Sequence, residues 1–130
     1  MAGPLKGMKI LDFTTLLPGP YATMTLADLG ADVLRIISGS RPDLASFLPP
    51  FLPGTNLSCA IAYLGRGKRC MTLNLKDPRA GGIVRKLIGE YDIVIEQFPD
   101  DPAGPRVFEV QRHAPLAAEP QRPEGRRDRP

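Results

Sequence analysis

The chain has 130 residues, which suits a single domain, and 42% of them are hydrophobic, which is enough for a packed core. Its net charge of +3 is small and scattered, and this argues against a nucleic-acid-binding surface. Two cysteines and one histidine are too few for a disulfide framework, a metal centre or a nucleophile–histidine site, and no apolar run reaches the roughly 18 residues that span a bilayer.

The first predicted unit is a strand, a helix and a second strand. Residues 8–13 (MKILDF) form a short apolar run that is typical of a strand. After a Pro-Gly-Pro break, the apolar positions within 21–29 favour a helix, and Gly30 is placed to end it because glycine readily takes a left-handed conformation. Residues 31–37 (ADVLRII) predict the second strand. A connection of this length favours parallel pairing.

The middle of the chain is less regular. Residues 38–55 are interrupted by glycines and prolines and predict a loop. Residues 56–64 fit either a short helix or an extended segment, and the sequence does not decide between them. Residues 65–69 (GRGKR) predict a basic glycine turn, and residues 70–75 (CMTLNL) alternate polar and apolar side chains, as in a half-buried strand.

Residues 78–89 predict the clearest helix. Asp77 suits the N-cap and Pro78 the first helical position. Apolar side chains recur at helical spacing and would form one stripe, made of Ala80, Ile83, Val84, Leu87 and Ile88. Residues 92–95 (DIVI) predict a further buried strand. Because strands alternate with helices, we predict an α/β fold with a Rossmann-like parallel sheet flanked by helices.

The composition changes after residue 98. Seven of the 15 prolines lie in 99–130, where arginines are also frequent. Proline removes a backbone donor and blocks the continuation of a helix, so we expect this Pro/Arg-rich tail to be disordered. We therefore divide the chain into a folded part, 1–98, and a tail, 99–130.

Four segments of the folded part, taken together and in this order, resemble one protein family. They are residues 4–14 (PLKGMKILDFT), 18–33 with its PGP and LADLGADV, 64–76 with its LGRGKR and LNLK, and 92–98 (DIVIEQF). Together they resemble the family III CoA-transferases (the CaiB/BaiF family) and the related α-methylacyl-CoA racemases. The GRGKR sequence resembles the racemases slightly more than the transferases.

The resemblance implies a CoA-binding domain whose sheet is incomplete here, because relatives add strands from chain beyond this length. It also implies interlocked homodimers, acyl-CoA or CoA as the bound partner, and no cofactor other than the CoA thioester substrate. The catalytic aspartate of the transferases lies beyond the matching residues, so no catalytic residue is expected in this chain. Carried over by position, the CoA contacts fall on Thr15, Leu16, Leu17, Leu64, Lys68, Arg69, Gln97 and Phe98.

These implications leave three functions open. The first is an N-terminal fragment of an enzyme that moves CoA between acyl-CoA thioesters and carboxylic acids, inactive on its own. The others are a racemase-like fragment and a non-catalytic CoA-binding or interaction module. The basic turn could hold CoA phosphates or be an ordinary solvated surface, and Asp12 and Asp32, beside strands, are more typical of structural carboxylates. We expect the cytoplasm as location, since the chain opens without a signal-like apolar stretch.

Overall fold

The computed structural model describes residues 3–97, so the predictions for Phe98 and for the tail at 99–130 lie outside the described residues. Strands and helices alternate in this part of the chain, as predicted. In chain order the elements are β1 (Lys9–Asp12), α1 (Pro18–Asp28), β2 (Asp32–Ile37), a 3-10 helix (Leu44–Phe47), α2 (Cys59–Leu64), β3 (Lys68–Thr72), α3 (Ala80–Ile88) and β4 (Ile93–Ile95).

The strands of the described region form one parallel sheet in the order β3-β2-β1-β4. Asp12, the last residue of β1, lies opposite Arg35 of β2 on one side and Ile95 of β4 on the other. The chain runs outward from β1 through β2 to β3 and then returns to the other side of β1. This reversal is the topological switch point of a doubly wound sheet, where the carboxyl ends of the strands open onto a crevice. The predicted α/β parallel sheet is confirmed.

Each face of the sheet packs against a different helix, because side chains alternate along a strand. Leu11 and Leu34 are buried on the face that contacts Val84 of α3. Ile10 and Val33 are buried on the opposite face, against apolar side chains of α1. Burial of one such aliphatic side chain stabilises the fold by about 1.5–3 kcal/mol. With both faces covered, the nearly continuous apolar run of β2 is explained.

Helix α1 begins at Pro18 and not at residue 21 as predicted. We expected the Pro-Gly-Pro sequence to break the chain, but proline fits the first turn of a helix because the N–H that it lacks would have no helical partner there. The predicted end is confirmed: Leu29 is the C-cap, and Gly30 follows in the left-handed region with φ 99°.

Strand β3 begins at Lys68 and ends at Thr72, whereas the sequence placed a strand over 70–75. Lys68 and Arg69 therefore belong to the strand and pair with β2, although we assigned them to the basic turn. Within 70–75 the predicted alternation holds, since the apolar positions are half-buried and the polar positions are exposed.

Helix α3 begins at Ala80, two residues after the predicted start at 78. Arg79 is the N-cap, so the prediction of Asp77 at that position is wrong, and no side chain caps the helix. Asp77 lies in the turn before the helix, where its Oδ1 accepts the backbone N–H of Arg79 at 2.9 Å. Val84 is fully buried at the centre of the predicted stripe, but Ile83, counted in that stripe, is 43% exposed.

The irregular middle of the chain contains two short helices. Residues 56–64, for which the sequence allowed either a helix or an extended segment, form a helix over their last six residues, α2. The predicted loop at 38–55 contains the 3-10 helix, which begins where Asp43 Oδ1 accepts the N–H of Ala45 at 3.0 Å. None of the helices in residues 3–97 combines the length and the apolar character that crossing a membrane requires.

Candidate functional site

The loop that follows β1 lies at the topological switch point, and we call residues 14–17 the switch-point loop. The backbone N–H of Thr15 donates to Oε1 of Gln97, the second residue after β4, at 2.8 Å. These residues are 82 positions apart in the chain, and the pairing of β1 with β4 brings them together.

Leu16 gives the switch-point loop its shape. Its backbone has φ 62°, which is in the left-handed region that residues with a Cβ rarely occupy. Its N–H donates to both carboxylate oxygens of Asp43, each at 3.2 Å. Leu16 and Leu17 are 47% and 62% exposed, so two large apolar side chains face outward at the carboxyl ends of the strands.

The carboxylate of Asp43 links the switch-point loop to the sheet. Its Oδ2 accepts NH2 of Arg35 in β2 at 2.6 Å, and the side chains of this ion pair are only 5% and 8% exposed. Arg35 Nε is buried and has no hydrogen-bond partner within residues 3–97. Sequence analysis missed both residues, because Asp43 lies in a proline-rich loop and Arg35 lies within an apolar strand.

Gly19 lets α1 approach the switch-point loop closely. A Cβ at this position would lie 2.3 Å from Cβ of Thr14, much closer than side-chain atoms can pack. The glycine of the Pro-Gly-Pro sequence is therefore required by packing against Thr14. This contact explains the glycine more specifically than simple punctuation between strand and helix.

A buried ion-pair cluster lies behind the switch-point loop and consists of Asp12, Thr14, Thr23 and Lys68. Asp12 is fully buried. Its Oδ1 accepts the N–H of Thr14 at 2.9 Å and the hydroxyl of Thr14 at 2.5 Å. Its Oδ2 accepts the hydroxyl of Thr23 at 2.5 Å and Nζ of Lys68 at 3.3 Å. With four donors on its two oxygens, Asp12 has the environment of a structural carboxylate.

Lys68 has its ammonium group inside this cluster. Nζ donates to the carbonyl oxygen of Pro20 at 2.8 Å and to the hydroxyl of Thr23 at 2.6 Å, and the side chain is fully buried. Burial is the largest influence on the pKa of Lys68 and lowers it, while the Asp12 carboxylate raises it in part. As the pH rises, the folded protein therefore releases this proton before the unfolded chain does. The contribution of Lys68 to the free energy of unfolding grows with pH between its lowered pKa and the ordinary value of 10.5.

Every cation of the predicted basic turn is paired with an aspartate. The pairs are Arg66 with Asp28 at 2.5 Å, Lys68 with Asp12 at 3.3 Å, and Arg69 with Asp32 at 2.7 Å. The hydrogen bonds that both arginines donate to the aspartates raise the pKa of each arginine. The two arginine pairs are exposed, so an anionic ligand can compete with the aspartates for them, whereas the Lys68 pair is closed to solvent.

The predicted contact residues fall into two groups. Thr15, Leu16 and Leu17 lie together in the switch-point loop, and Gln97 bonds to the first of them. The second group consists of Leu64, which is 3% exposed, and of Lys68 and Arg69, which point to opposite faces at the start of β3. Phe98 lies outside the described residues. The structure thus unites four predicted contacts at one edge of the sheet and places Leu64, Lys68 and Arg69 at the end of α2 and the start of β3.

Comparisons with known proteins agree with this fold. The family model described as CoA-transferase family III matches residues 5–104. A succinyl-CoA:glutarate CoA-transferase from Mus musculus is 40% identical over 96 residues, which make up 73% of this chain and 22% of that protein. An alpha-methylacyl-CoA racemase from Homo sapiens is 36% identical over 95 residues, which make up 72% of this chain and 20% of that protein.

A solved structure also matches this chain. The crystal structure of a CAIB/BAIF family protein from Brucella suis matches with a TM-score of 0.67 and 33% identity, over 75% of this chain and 26% of that one. This chain thus spans about a fifth to a quarter of the length of the relatives that it matches. The family model covers most of the chain, and the matched structure has the same fold, which confirms the resemblance that the sequence motifs carried. The chain belongs to CoA-transferase family III.

Proposed function

We propose that the switch-point loop and Gln97, which together we call the switch-point edge, bind CoA or an acyl-CoA. We also propose that this chain is the N-terminal, CoA-binding part of a CoA-transferase. The observation that carries the proposal is the bond between Thr15 and Gln97, which joins two of the predicted CoA contacts at the switch point of a family III chain. Ligands of open α/β sheets bind in the crevice outside the carboxyl ends of the strands, at this same point. The exposed side chains of Leu16 and Leu17 offer the apolar surface that a pantetheine arm would cover.

The reaction we propose for the whole enzyme is transfer of CoA between an acyl-CoA thioester and a carboxylic acid. Proteins named as CoA-transferases are similar to this chain, which favours transfer, and the similarity to an alpha-methylacyl-CoA racemase keeps racemisation as the alternative. The acyl group is not part of the proposal. CoA enters as a substrate, and we propose neither a metal nor a resident cofactor.

We further propose that the 130-residue chain does not turn over an acyl-CoA on its own. A carboxylate nucleophile must be accessible and free to attack the thioester. Asp12 and Asp43, the carboxylates placed around the switch-point loop, are both buried and saturated with hydrogen bonds. Neither can reach a thioester without breaking the contacts that hold the loop.

Calorimetric titration of the full chain with CoA and with acetyl-CoA tests the binding proposal. We expect heat with both ligands and a loss of affinity of about fivefold in Gln97→Ala, because the variant removes one hydrogen bond worth about 1 kcal/mol. Asn56→Ala is the matched control, since Asn56 is exposed and lies in another part of the chain. A cooperatively melting protein that gives no heat with either ligand would overturn the proposal.

One observation favours the interaction module as a second candidate function. The segment from the 3-10 helix to the start of α2 exposes large apolar side chains to an unusual extent, namely Leu44, Phe47, Leu48, Phe51, Leu52 and Leu57. We propose a second copy of the chain as the partner, in keeping with the homodimers that the family resemblance implies. Light scattering during size-exclusion chromatography should then report a dimer that Phe47→Asp dissociates, and a monomeric wild type would contradict this candidate.

The cytoplasm is the compartment that we propose. Both cysteines of the sequence, Cys59 and Cys70, are free thiols in the structure. Thiols persist in the reducing cytosol, whereas oxidising compartments favour disulfides. Fractionation of cells that express the tagged chain tests this location, and recovery from an oxidising compartment would contradict it.

A further inference from the structure

We propose that Asp43 is a positioning residue that holds the switch-point loop in the shape that receives CoA. This inference rests on the proposed function, since it assumes that the loop contacts CoA. Asp43 itself does not touch the ligand in this proposal. It acts through the backbone of Leu16, whose N–H lies 3.2 Å from each of its carboxylate oxygens.

Leu16 needs an external constraint to keep its conformation. Its φ of 62° is disfavoured for any residue with a Cβ, so the loop would relax toward ordinary φ values if nothing held it. The side chain cannot supply the constraint, because it is 47% exposed and is not buried in the core. The hydrogen bonds to Asp43 are therefore the contacts through which the Leu16 backbone is fixed.

Asp43 is itself firmly held. Its carboxylate accepts NH2 of the buried Arg35 in β2 at 2.6 Å and the N–H of Ala45 at 3.0 Å. Its carbonyl oxygen accepts the N–H of Ser46 at 2.9 Å and the hydroxyl of Ser46 at 2.5 Å. Arg35 and Asp43 thus connect the backbone of Leu16 to the central strand β2.

The switch-point loop is held from both neighbours of β1. Gln97, after β4, accepts the N–H of Thr15 at 2.8 Å, and Asp43, after β2, accepts the N–H of Leu16. Two consecutive backbone donors are consequently fixed by side chains from opposite sides. The sequence analysis named Thr15 and Gln97 only as CoA contacts and did not name Asp43.

The test compares CoA binding by the full chain and by its variant Asp43→Asn, with calorimetry. The amide keeps the shape of the carboxylate but has one acceptor oxygen and no charge, so it cannot accept Arg35 and Leu16 as the carboxylate does. We expect the dissociation constant for CoA to rise about tenfold. Thr55→Ala is the matched control, because it removes exposed hydrogen bonds within its own turn, to Leu52 and Leu57, and leaves the bonds of Asp43 intact. We expect its affinity for CoA to stay within about twofold of the wild type.

A rescue experiment separates positioning from general stability. Glycine adopts positive φ without strain, so Leu16→Gly should make the loop less dependent on Asp43. If Asp43 acts through the Leu16 backbone, Asp43→Asn should weaken CoA binding much less in the Leu16→Gly background than in the wild type. Equal losses in the two backgrounds would overturn the proposal, because a structural effect of Asp43 does not depend on residue 16.

If Asp43→Asn does not fold, hydrogen exchange of the wild-type protein tests the proposal instead. The Leu16 amide should exchange at least about tenfold more slowly than an unstructured amide, because its N–H is bonded to a buried carboxylate. Exchange at the unstructured rate would overturn the proposal. The outcomes also separate the two proposals: no CoA binding by the wild type removes the proposed function, whereas wild-type binding that Asp43→Asn leaves unchanged removes only the role of Asp43.

Discussion

The switch-point edge and the start of β3 use charge in different ways. At the switch-point edge, side chains from both neighbours of β1 hold backbone N–H groups of a loop whose leucines remain exposed. At the start of β3, the cations that look like a phosphate site in the sequence are already paired with aspartates, and Lys68 is sealed inside the fold. A basic motif therefore indicates where positive charge lies in the sequence, but only the structure shows how much of that charge is available to a ligand.

The strongest test of this comparison replaces the two adjacent cations of β3 separately. Lys68→Met should lower the free energy of unfolding by about 3–5 kcal/mol, because it leaves the Asp12 carboxylate buried without its cation. Arg69→Met, one residue away, should lower it by less than about 1 kcal/mol, because its pair with Asp32 is largely exposed and screened by solvent. Urea unfolding followed by circular dichroism measures both. Equal losses would show that the Lys68 pair is not sealed as described.

A smaller loss of stability is expected when the Thr23 hydroxyl, which bonds to both Asp12 and Lys68, is removed. Thr23→Val keeps the size and branching of the side chain but removes the donor to Asp12 and the acceptor for Lys68, so we expect a loss of about 1–3 kcal/mol. Thr25→Val is the matched control on the same helix, because the Thr25 hydroxyl is exposed and, within residues 3–97, bonds only to the carbonyl of Tyr21. Its effect should stay within about 0.5 kcal/mol. Thermal unfolding measures both variants. If the control lost as much stability as Thr23→Val, the role of the Thr23 hydroxyl in the buried cluster would be contradicted.

The fold was predictable where the signal is local. The alternation within 70–75 and the apolar stripe of α3 report burial directly, and Gly30 marks a helix end for a steric reason. The boundaries were less predictable. Lys68 and Arg69 were assigned to a basic glycine turn with Gly65 and Gly67, and nothing nearby in the sequence reveals the buried carboxylate that pairs with Lys68.

The site was predictable only in part, because its contacts join distant residues. Thr15 and Gln97 could be named from family motifs, although 82 positions separate them. The pairing of Asp12 with Lys68 spans 56 positions, and that of Asp43 with Leu16 spans 27. The periodicity of apolar residues does not predict such pairs, because they depend on which strands become neighbours in the sheet. Asp12 and Asp32 are both held in ion pairs with residues of β3, and their structural role stays a prediction.

The smallest expected effect concerns the exposed pair of Arg66 and Asp28. The hydrogen bond from Arg66 lowers the pKa of Asp28 below 3.8, so the stabilisation from this carboxylate is present above that value and is lost as the pH falls through the lowered pKa. Arg66→Gln should return the pKa of Asp28 toward 3.8 and leave stability at pH 7 unchanged within error, because the pair is exposed to solvent. The difference between variant and wild type should appear only in strongly acidic solution.

Carboxyl carbon resonances in an NMR titration measure this shift residue by residue. Asp77 provides the internal control, because Arg79 lowers its pKa through a separate exposed pair that Arg66→Gln does not touch. We expect the Asp28 resonance to titrate at higher pH in the variant while Asp77 titrates as before. If the pKa of Asp28 is the same in both proteins, Arg66 is a free cation in solution despite its place over the Tyr63 ring. The start of β3 would then keep one cation available for a phosphate group, and the contrast with the switch-point edge would rest on Lys68 and Arg69 alone.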